Sequence, residues 1–420
     1  MRSSRWSSRG RSARKPVALT AALFAVYAIA LGTHATPDSR LTAAEAHVLL
    51  TSESVVRDRD LDLRDQYEHR SWSSFYGGEL HPTASADKAG RILEPQGIGL
   101  PLLLAPAYDA AGATGARLLM ALLMAIAFAC AAALARRAVP DPWATATALV
   151  LGLSPPVVAA ATALRPEVPA AVALAGAGVL ALRVRDDPRA TPAFWAAVLL
   201  ALVPWMGITG VLAGAVVALA MARWLRRRRR GLAGFAALEV VVTSGVVFIT
   251  INDKLFGGLT PYAGRAAPGP ATGLHDVGDA LGRIPRVFEL AGDTLRWAPF
   301  AVLALVGAWV LIRAHRERLA AVVGDHVNVE VVGLFAALVI GAQLVEGAIL
   351  APHLHGAWFP TRFLVPALPF VAVPAAWGLR RHPRIGAGLA VVTLALTIWM
   401  LAAGLWGDAT LAPPDGFGFA

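Results

Sequence analysis

The chain has one cysteine, Cys130, among 420 residues. That excludes an internal disulfide and any metal site built on cysteines. Charge is also scarce. Only 16% of residues are charged while 56% are hydrophobic, and the mean hydropathy is +0.57. A soluble domain of this length rarely reaches such values, whereas a polytopic membrane protein does. The signatures of common soluble enzymes are missing too. There is no Walker-type phosphate loop, no Gly-x-Ser-x-Gly elbow, no His-Glu-x-x-His zinc helix and no Gly-x-Gly-x-x-Gly before a helix. ATPase, serine hydrolase and zinc protease readings therefore have no footing. No repeat of the kind found in inverted-repeat transporters stands out.

What is present is a rhythm of greasy runs and charged gaps. Apolar segments of bilayer-spanning length recur from residue 16 to residue 406. Every second gap is rich in arginine. Arg2, Arg5, Arg9, Arg11, Arg14 and Lys15 precede the first run. Arg136 and Arg137, then Arg183, Arg185 and Arg189, then Arg226 to Arg230 follow later ones. Arg313, Arg316 and Arg318, then Arg380, Arg381 and Arg384, complete the series. Basic gaps belong on the cytoplasmic side. The net charge of +10 thus fits topology anchoring and anionic headgroups, not nucleic acid. The alternate gaps hold Asp38, Glu45, Glu94, Glu167, Asp253, Lys254, His353, His355 and Arg362, which share the opposite face.

This predicts an all-α polytopic membrane protein of about eleven transmembrane helices. Two large extracytoplasmic loops carry interfacial helices. Spans are expected near 16–34, 113–135, 143–161, 170–182, 192–205, 207–222, 232–251, 296–312, 331–350, 363–379 and 386–406. Residues 1–15 form a basic cytoplasmic tail, 16–406 the transmembrane domain with outer loops 35–112 and 252–294, and 407–420 a short outer tail. The first run is read as a retained helix; cleavage near Ala35 as a signal peptide is the alternative. Both place residue 38 onward outside. Residues 97–108, broken by Pro101 and Pro106, are short for a crossing and read as interfacial or re-entrant. An amphipathic helix is expected near 277–291. The Ala, Gly, Arg and Pro content suggests a GC-rich bacterial genome, hence a bacterial plasma membrane with the N-terminus in the cytoplasm.

Several outer residues could carry chemistry. Residues 41–56 are amphipathic at helical spacing, with Asp38 and Glu45 near the start. A carboxylate at the mouth of a membrane cavity can take a proton from a hydroxyl nucleophile. The alternative is a solvated helix capped by Asp38 or Thr42. His47, two residues beyond Glu45, points to another helical face. Asp58, Asp60, Asp62 and Asp65 offer hard oxygen ligands, but Arg57, Arg59 and Arg64 neutralise the run, so a charged surface turn is favoured and no metal is assigned. Glu94 could face a cavity. Arg165 and Glu167 top a span, either as site residues or as interfacial anchors. Lys254 can bind phosphate as a point charge or snorkel to headgroups. Arg362, an outer arginine among Pro360, Pro366 and Pro369, suits a phosphate clamp. His353 and His355 alternate, so they are a weak metal pair; His355 remains a candidate for binding substrate.

Three stretches carry a family resemblance. Ala44-Glu45-Ala46-His47-Val48 is similar to an Asp-Glu-x-His-aromatic pattern, with RDRDLDLRDQY downstream. EPQGIGLPLLLAPAY followed by GATGARLLMALL, and later HGAWFPTRFLVPALPFVAVP, match a proline-rich helix, an Ala-Arg-Leu run and a late Pro-rich span. The chain resembles the GT-C glycosyltransferases, which include protein O-mannosyltransferases and the aminoarabinose transferases of lipid A. The family's Asp is Ala44 here, which leaves Glu45, with Asp38 as a substitute. Matched family residues are Glu45, His47, Arg117 and Arg362.

The resemblance implies an inverting sugar transfer from a polyprenyl-phosphate donor to an extracytoplasmic hydroxyl on a glycan, lipid or protein. Glu45 or Asp38 would act as base; His47, Glu94, Arg165, Glu167, Lys254, His355 and Arg362 would bind substrate. No cofactor is assigned; a divalent metal stays open but has no support in the sequence. Two rivals remain. A transporter or flippase would use ionisable residues inside the spans, for which Glu239 and Glu346 qualify. A non-catalytic envelope assembly protein would need only the folded spans.

Overall fold

The computed structural model describes residues 5–36, 39–84, 86–87, 89–264, 277–318, 324–350, 362–406 and 409–410. Among these, β pairing is limited to isolated bridges, one of which joins Thr36 and Ser39. The helices are α1 (Arg5–Ala30), α2 (Ala43–Arg57), α3 (Arg64–Glu68), α4 (Gly99–Ala135), α5 (Trp143–Gly152), α6 (Pro155–Thr162), α7 (Glu167–Asp186) and α8 (Ala190–Met206). They continue with α9 (Val211–Arg227), α10 (Gly231–Phe256), α11 (Val277–Gly282), α12 (Ile284–Trp297), α13 (Val302–Arg318), α14 (Gly324–Val345), α15 (Leu368–Arg381) and α16 (Pro383–Trp406). A π-helical turn, Glu346–Leu350, extends α14, and a 3-10 turn, Arg362–Ala367, leads into α15.

The protein is a multi-pass membrane protein. Among the described residues, six helices are long and apolar enough to cross a bilayer: Gly99–Ala135, Glu167–Asp186, Gly231–Phe256, Val329–Ile349, Arg362–Arg381 and Pro383–Trp406. Two bent pairs raise the number to eight, α5 with α6 at 59° and Gly278–Trp297 with Pro299–Val310 at 119°. Pro16–Ala30 and Ala190–Met206 are apolar but shorter. The segments expected as eleven spans are thus helical but unequal. Pro155 and Pro156 split the third, because proline removes a backbone donor and clashes with the preceding turn.

The interfacial piece expected at 97–108 is continuous with the next span. Together they form α4, which breaks at Ala111 and at Gly112 (φ +58°). Only glycine adopts such a backbone freely, so the direction change falls there. Near 277–291, α11 and α12 expose Leu281, Ile284 and Phe288 while burying Leu290 and Thr294.

The core centres on α4, which packs against α1, α2, α5, α7 and α15 and buries Met120, Met124 and Phe128 completely. Tyr27 of α1 donates to the Gly152 carbonyl at 2.7 Å. Helices α13 and α15 touch backbone to backbone. A Cβ on Gly378 would stand 2.2 Å from the Leu303 carbonyl oxygen. Small residues permit this approach in a bilayer, where dispersion and close packing replace the hydrophobic drive between helices.

Two ends of the bundle differ. Arg137 and Asp186 form an ion pair, so the ends of α4 and α7 lie together, as their arginines predict. The opposite end gathers α2, the turn between α6 and α7, and the 3-10 turn before α15.

Candidate functional site

The site begins at the first turn of α2. Thr42 is the N-cap in extended conformation, and Glu45 completes a capping box. Glu45 Oε2 accepts from the Thr42 amide and hydroxyl, both at 2.7 Å. Its Oε1 accepts from the Leu164 amide at 2.8 Å, across 119 residues. Glu45 is 2% exposed. A buried carboxylate needs such donors, since an unpaired one costs several kcal/mol. The alternative of a solvated helix is not seen: Glu45 through Ser54 are all buried. The Thr42 cap is as expected. Arg165 Nη2 donates to Thr42 Oγ1 at 3.2 Å. Arg117, buried on α4, feels the charges of Glu45 and Arg40.

Beside this knot lies a second carboxylate. Glu167 is the first residue of α7 and is 4% exposed. Its Oε1 is 3.9 Å from Arg362 Nε. Its Oε2 is buried with no hydrogen-bond partner among the described residues. The Arg362 guanidinium lies 4.6 Å from the centre of the Phe363 ring. The amino end of α7 carries the positive pole of its helix dipole. Arg117, Arg165, Arg362 and that pole therefore face two glutamates at one end of an apolar bundle.

A further polar cluster ties the loop after α3 to the other flank of α2. Tyr67 donates to Glu94 Oε1 at 2.6 Å and is 2.8 Å from His47 Nδ1. The Thr83 amide donates to the same oxygen at 3.1 Å, and its hydroxyl to Glu94 Oε2. Burial lowers the affinity of His47 for a proton, against the pull of Glu94. Burial, and then the Glu94 charge, push the Tyr67 phenol upward. A cavity of about 10 Å³ adjoins Thr51, Glu94, Gln96 and Phe256, which is room for about one water.

The sequence candidates thus separate. Glu45, Arg165, Glu167 and Arg362 converge. His47 and Glu94 pair in the neighbouring cluster. Lys254 is exposed on α10 and joins neither. Asp38, His353 and His355 lie outside the described residues. In the aspartate run, Asp60 accepts from Ser54 at 2.8 Å, and Asp62 from Arg64 at 3.0 Å and the Ile92 amide at 2.9 Å, as in a charged surface turn. Glu346 proves to be a cap. Its oxygens accept from the Gly210 and Leu212 amides at 2.8 and 2.9 Å, closing the start of α9, which has no side-chain cap of its own. Sequence reasoning missed Tyr67 and Thr83, whose partners lie 27 and 11 residues away. For Glu346, the uncapped Gly-Ile-Thr-Gly start of α9 was the available signal.

A helical multi-pass membrane protein with a buried arginine–glutamate cluster at one end is the class that fold and site define. No protein-family model matches the sequence, and no curated protein matches it either. The fold is similar to that of ArnT from Cupriavidus metallidurans in the apo state, with TM-score 0.57 and 15% identity, covering 94% of this chain and 65% of that one. It is also similar to the same protein bound to undecaprenyl phosphate, with TM-score 0.56 and 16% identity, covering 92% and 64%. The chain spans a little under two thirds of the length of those ArnT chains. The likeness in fold bears out the resemblance read from the sequence.

Proposed function

We propose that the protein is a membrane glycosyltransferase that moves a sugar from a polyprenyl-phosphate donor to an extracytoplasmic hydroxyl. The observation that carries this reading is the convergence of Arg165, Arg362 and Glu167 beside Thr42 and Glu45 at one end of the bundle. The similarity in fold to an ArnT that binds undecaprenyl phosphate supports it. The acceptor hydroxyl attacks the anomeric carbon from the face opposite the phosphate. The bond from sugar to phosphate breaks, and the configuration inverts. The phosphate leaves with its charge held by Arg362 and Arg165, which is where preorganised cations act most strongly.

Of the two carboxylates proposed as base, Glu45 already spends its oxygens on Thr42 and Leu164. We therefore assign the proton to Asp38, seven residues earlier in the same outer loop, and give Glu45 the task of holding the turn that presents Arg165. The open Oε2 of Glu167 would accept a hydroxyl from sugar or acceptor. Arg362 sits on the outer face of a bacterial plasma membrane in this reading.

The test is transfer in proteoliposomes from a short-chain polyprenyl-phosphate sugar. Asp38→Asn and Arg362→Ala should each lower turnover by about 100-fold or more while the protein stays folded. Unchanged turnover in both rejects the assignment.

A further inference from the structure

Arg362 opens the 3-10 turn, Arg362–Ala367, that leads into α15. In such a turn a carbonyl accepts from the amide three residues on. For Phe363 that residue is Pro366, which has no N–H. The carbonyl next to Arg362 therefore lacks the donor its own turn would give it. Gln343 of α14 supplies one. Its Nε2 donates to the Phe363 carbonyl at 2.7 Å, from 20 residues away. Only the nitrogen of the amide can donate, so this partner fixes which way the side chain points. Gln343 is fully buried, and its Oε1 has no hydrogen-bond partner among the described residues. A bare buried amide oxygen costs about 1–3 kcal/mol. A methionine there would remove that cost and leave the Phe363 carbonyl bare instead, so the two changes offset in stability. What the glutamine adds is a fixed turn. One helical turn further on, a Cβ on Gly347 would stand 3.1 Å from the Phe363 Cβ, so this turn lies hard against the end of α14. The Phe363 ring in turn supports the Arg362 guanidinium, 4.6 Å from its centre.

We infer that Gln343 is a positioning residue for the transfer: through the Phe363 carbonyl it fixes the turn that aims Arg362 at the departing phosphate. This rests on Arg362 being the phosphate clamp of the proposed reaction. Gln343 acts through Arg362 and not on the breaking bond itself. The phosphate gains charge as it leaves, so a misaimed clamp is felt more in the transition state than in the bound donor, and kcat should fall more than KM rises. A misplacement of about 1 Å can cost about 10²-fold.

The test measures transfer by the full chain in proteoliposomes with the same short-chain donor. Gln343→Met should lower kcat by about 10- to 100-fold, with KM changed by less than about three-fold and the denaturation midpoint little moved. Gln343→Asn keeps the amide but falls one methylene short of Phe363, and should lose kcat in the same way. Adding Pro366→Ala to Gln343→Met gives the Phe363 carbonyl a backbone donor and should recover most of the lost kcat. Adding Gln343→Met to Arg362→Ala should cost nothing further, because residues acting through one group are not additive. Wild-type kcat in both Gln343 variants would overturn the proposal while leaving the clamp standing. So would a loss that Pro366→Ala does not relieve, or a full further loss on top of Arg362→Ala. Wild-type turnover in Arg362→Ala would overturn the clamp, and this proposal with it.

Discussion

Glu45 and Glu167 are both buried glutamates at the first turn of a helix, and they sit on either side of the α6–α7 turn. Glu45 is surrounded by donors from its own chain. Glu167 has an ion-pair partner at the edge of contact and an oxygen with no hydrogen-bond partner among the described residues. The first arrangement is closed: removing Glu45 would strand the amides of Thr42 and Leu164. The second is open, and a ligand could complete it. Burial alone does not separate framework from chemistry; the count of unfilled hydrogen-bonding positions does.

The comparison predicts opposite outcomes for the two sides. Arg362→Ala should lower turnover by about 10²–10³-fold, the cost of losing a preorganised charge at a developing anion, with a smaller loss of stability than Glu45→Ala because the ion pair it breaks is long, 3.9 Å. Glu45→Ala should do the reverse. It should destabilise by about 3 kcal/mol, the scale for breaking a buried hydrogen-bonded charge, read from denaturant titration in mixed micelles. If Glu45→Gln stays fully stable yet loses turnover as severely as Arg362→Ala, then Glu45 is the base and the contrast fails.

Effects away from the site should be smaller. Gly378→Val should cost about 2 kcal/mol by overpacking the α13–α15 contact. Glu346→Ala should cost about 1 kcal/mol, the usual value of a helix cap, and leave any solute flux across vesicles unaltered. A change in flux would revive the transporter reading. The smallest effect concerns pH. His47 is buried and holds its proton less tightly than when unfolded. Stability should be constant above about pH 6.5, the unfolded value, and fall as acid protonates the unfolded chain first. His47→Gln should flatten that acid limb in melts at pH 7.5 and 5.5.

Particular residues mark what could be read in the chain. The helical segments and the arginine pattern were legible because both depend on local composition and on the bilayer as solvent. Arg165, Glu167 and Arg362 were legible as polar residues in apolar surroundings. Glu346 stood out for the same reason, as a candidate for the transporter rival, and the structure makes it a cap. A buried carboxylate in a span looks identical whether it lines a path or caps a helix 136 residues away. Glu45 was suspected as a base, and its bond to Leu164 could not be foreseen across 119 residues. The count of spans was also less certain than hydropathy implied, because the bend at Pro155 and the break at Gly112 change direction without changing polarity.

The amino-acid order by itself determined that this protein lives in a membrane, as a bundle of helices with arginine-rich ends. Backbone groups in hydrocarbon must be satisfied within each segment, so composition and length decide that much. Only the tertiary structure decided which carboxylate is closed and which is open. That property depends on donors brought from distant segments, and no local pattern encodes where those donors arrive.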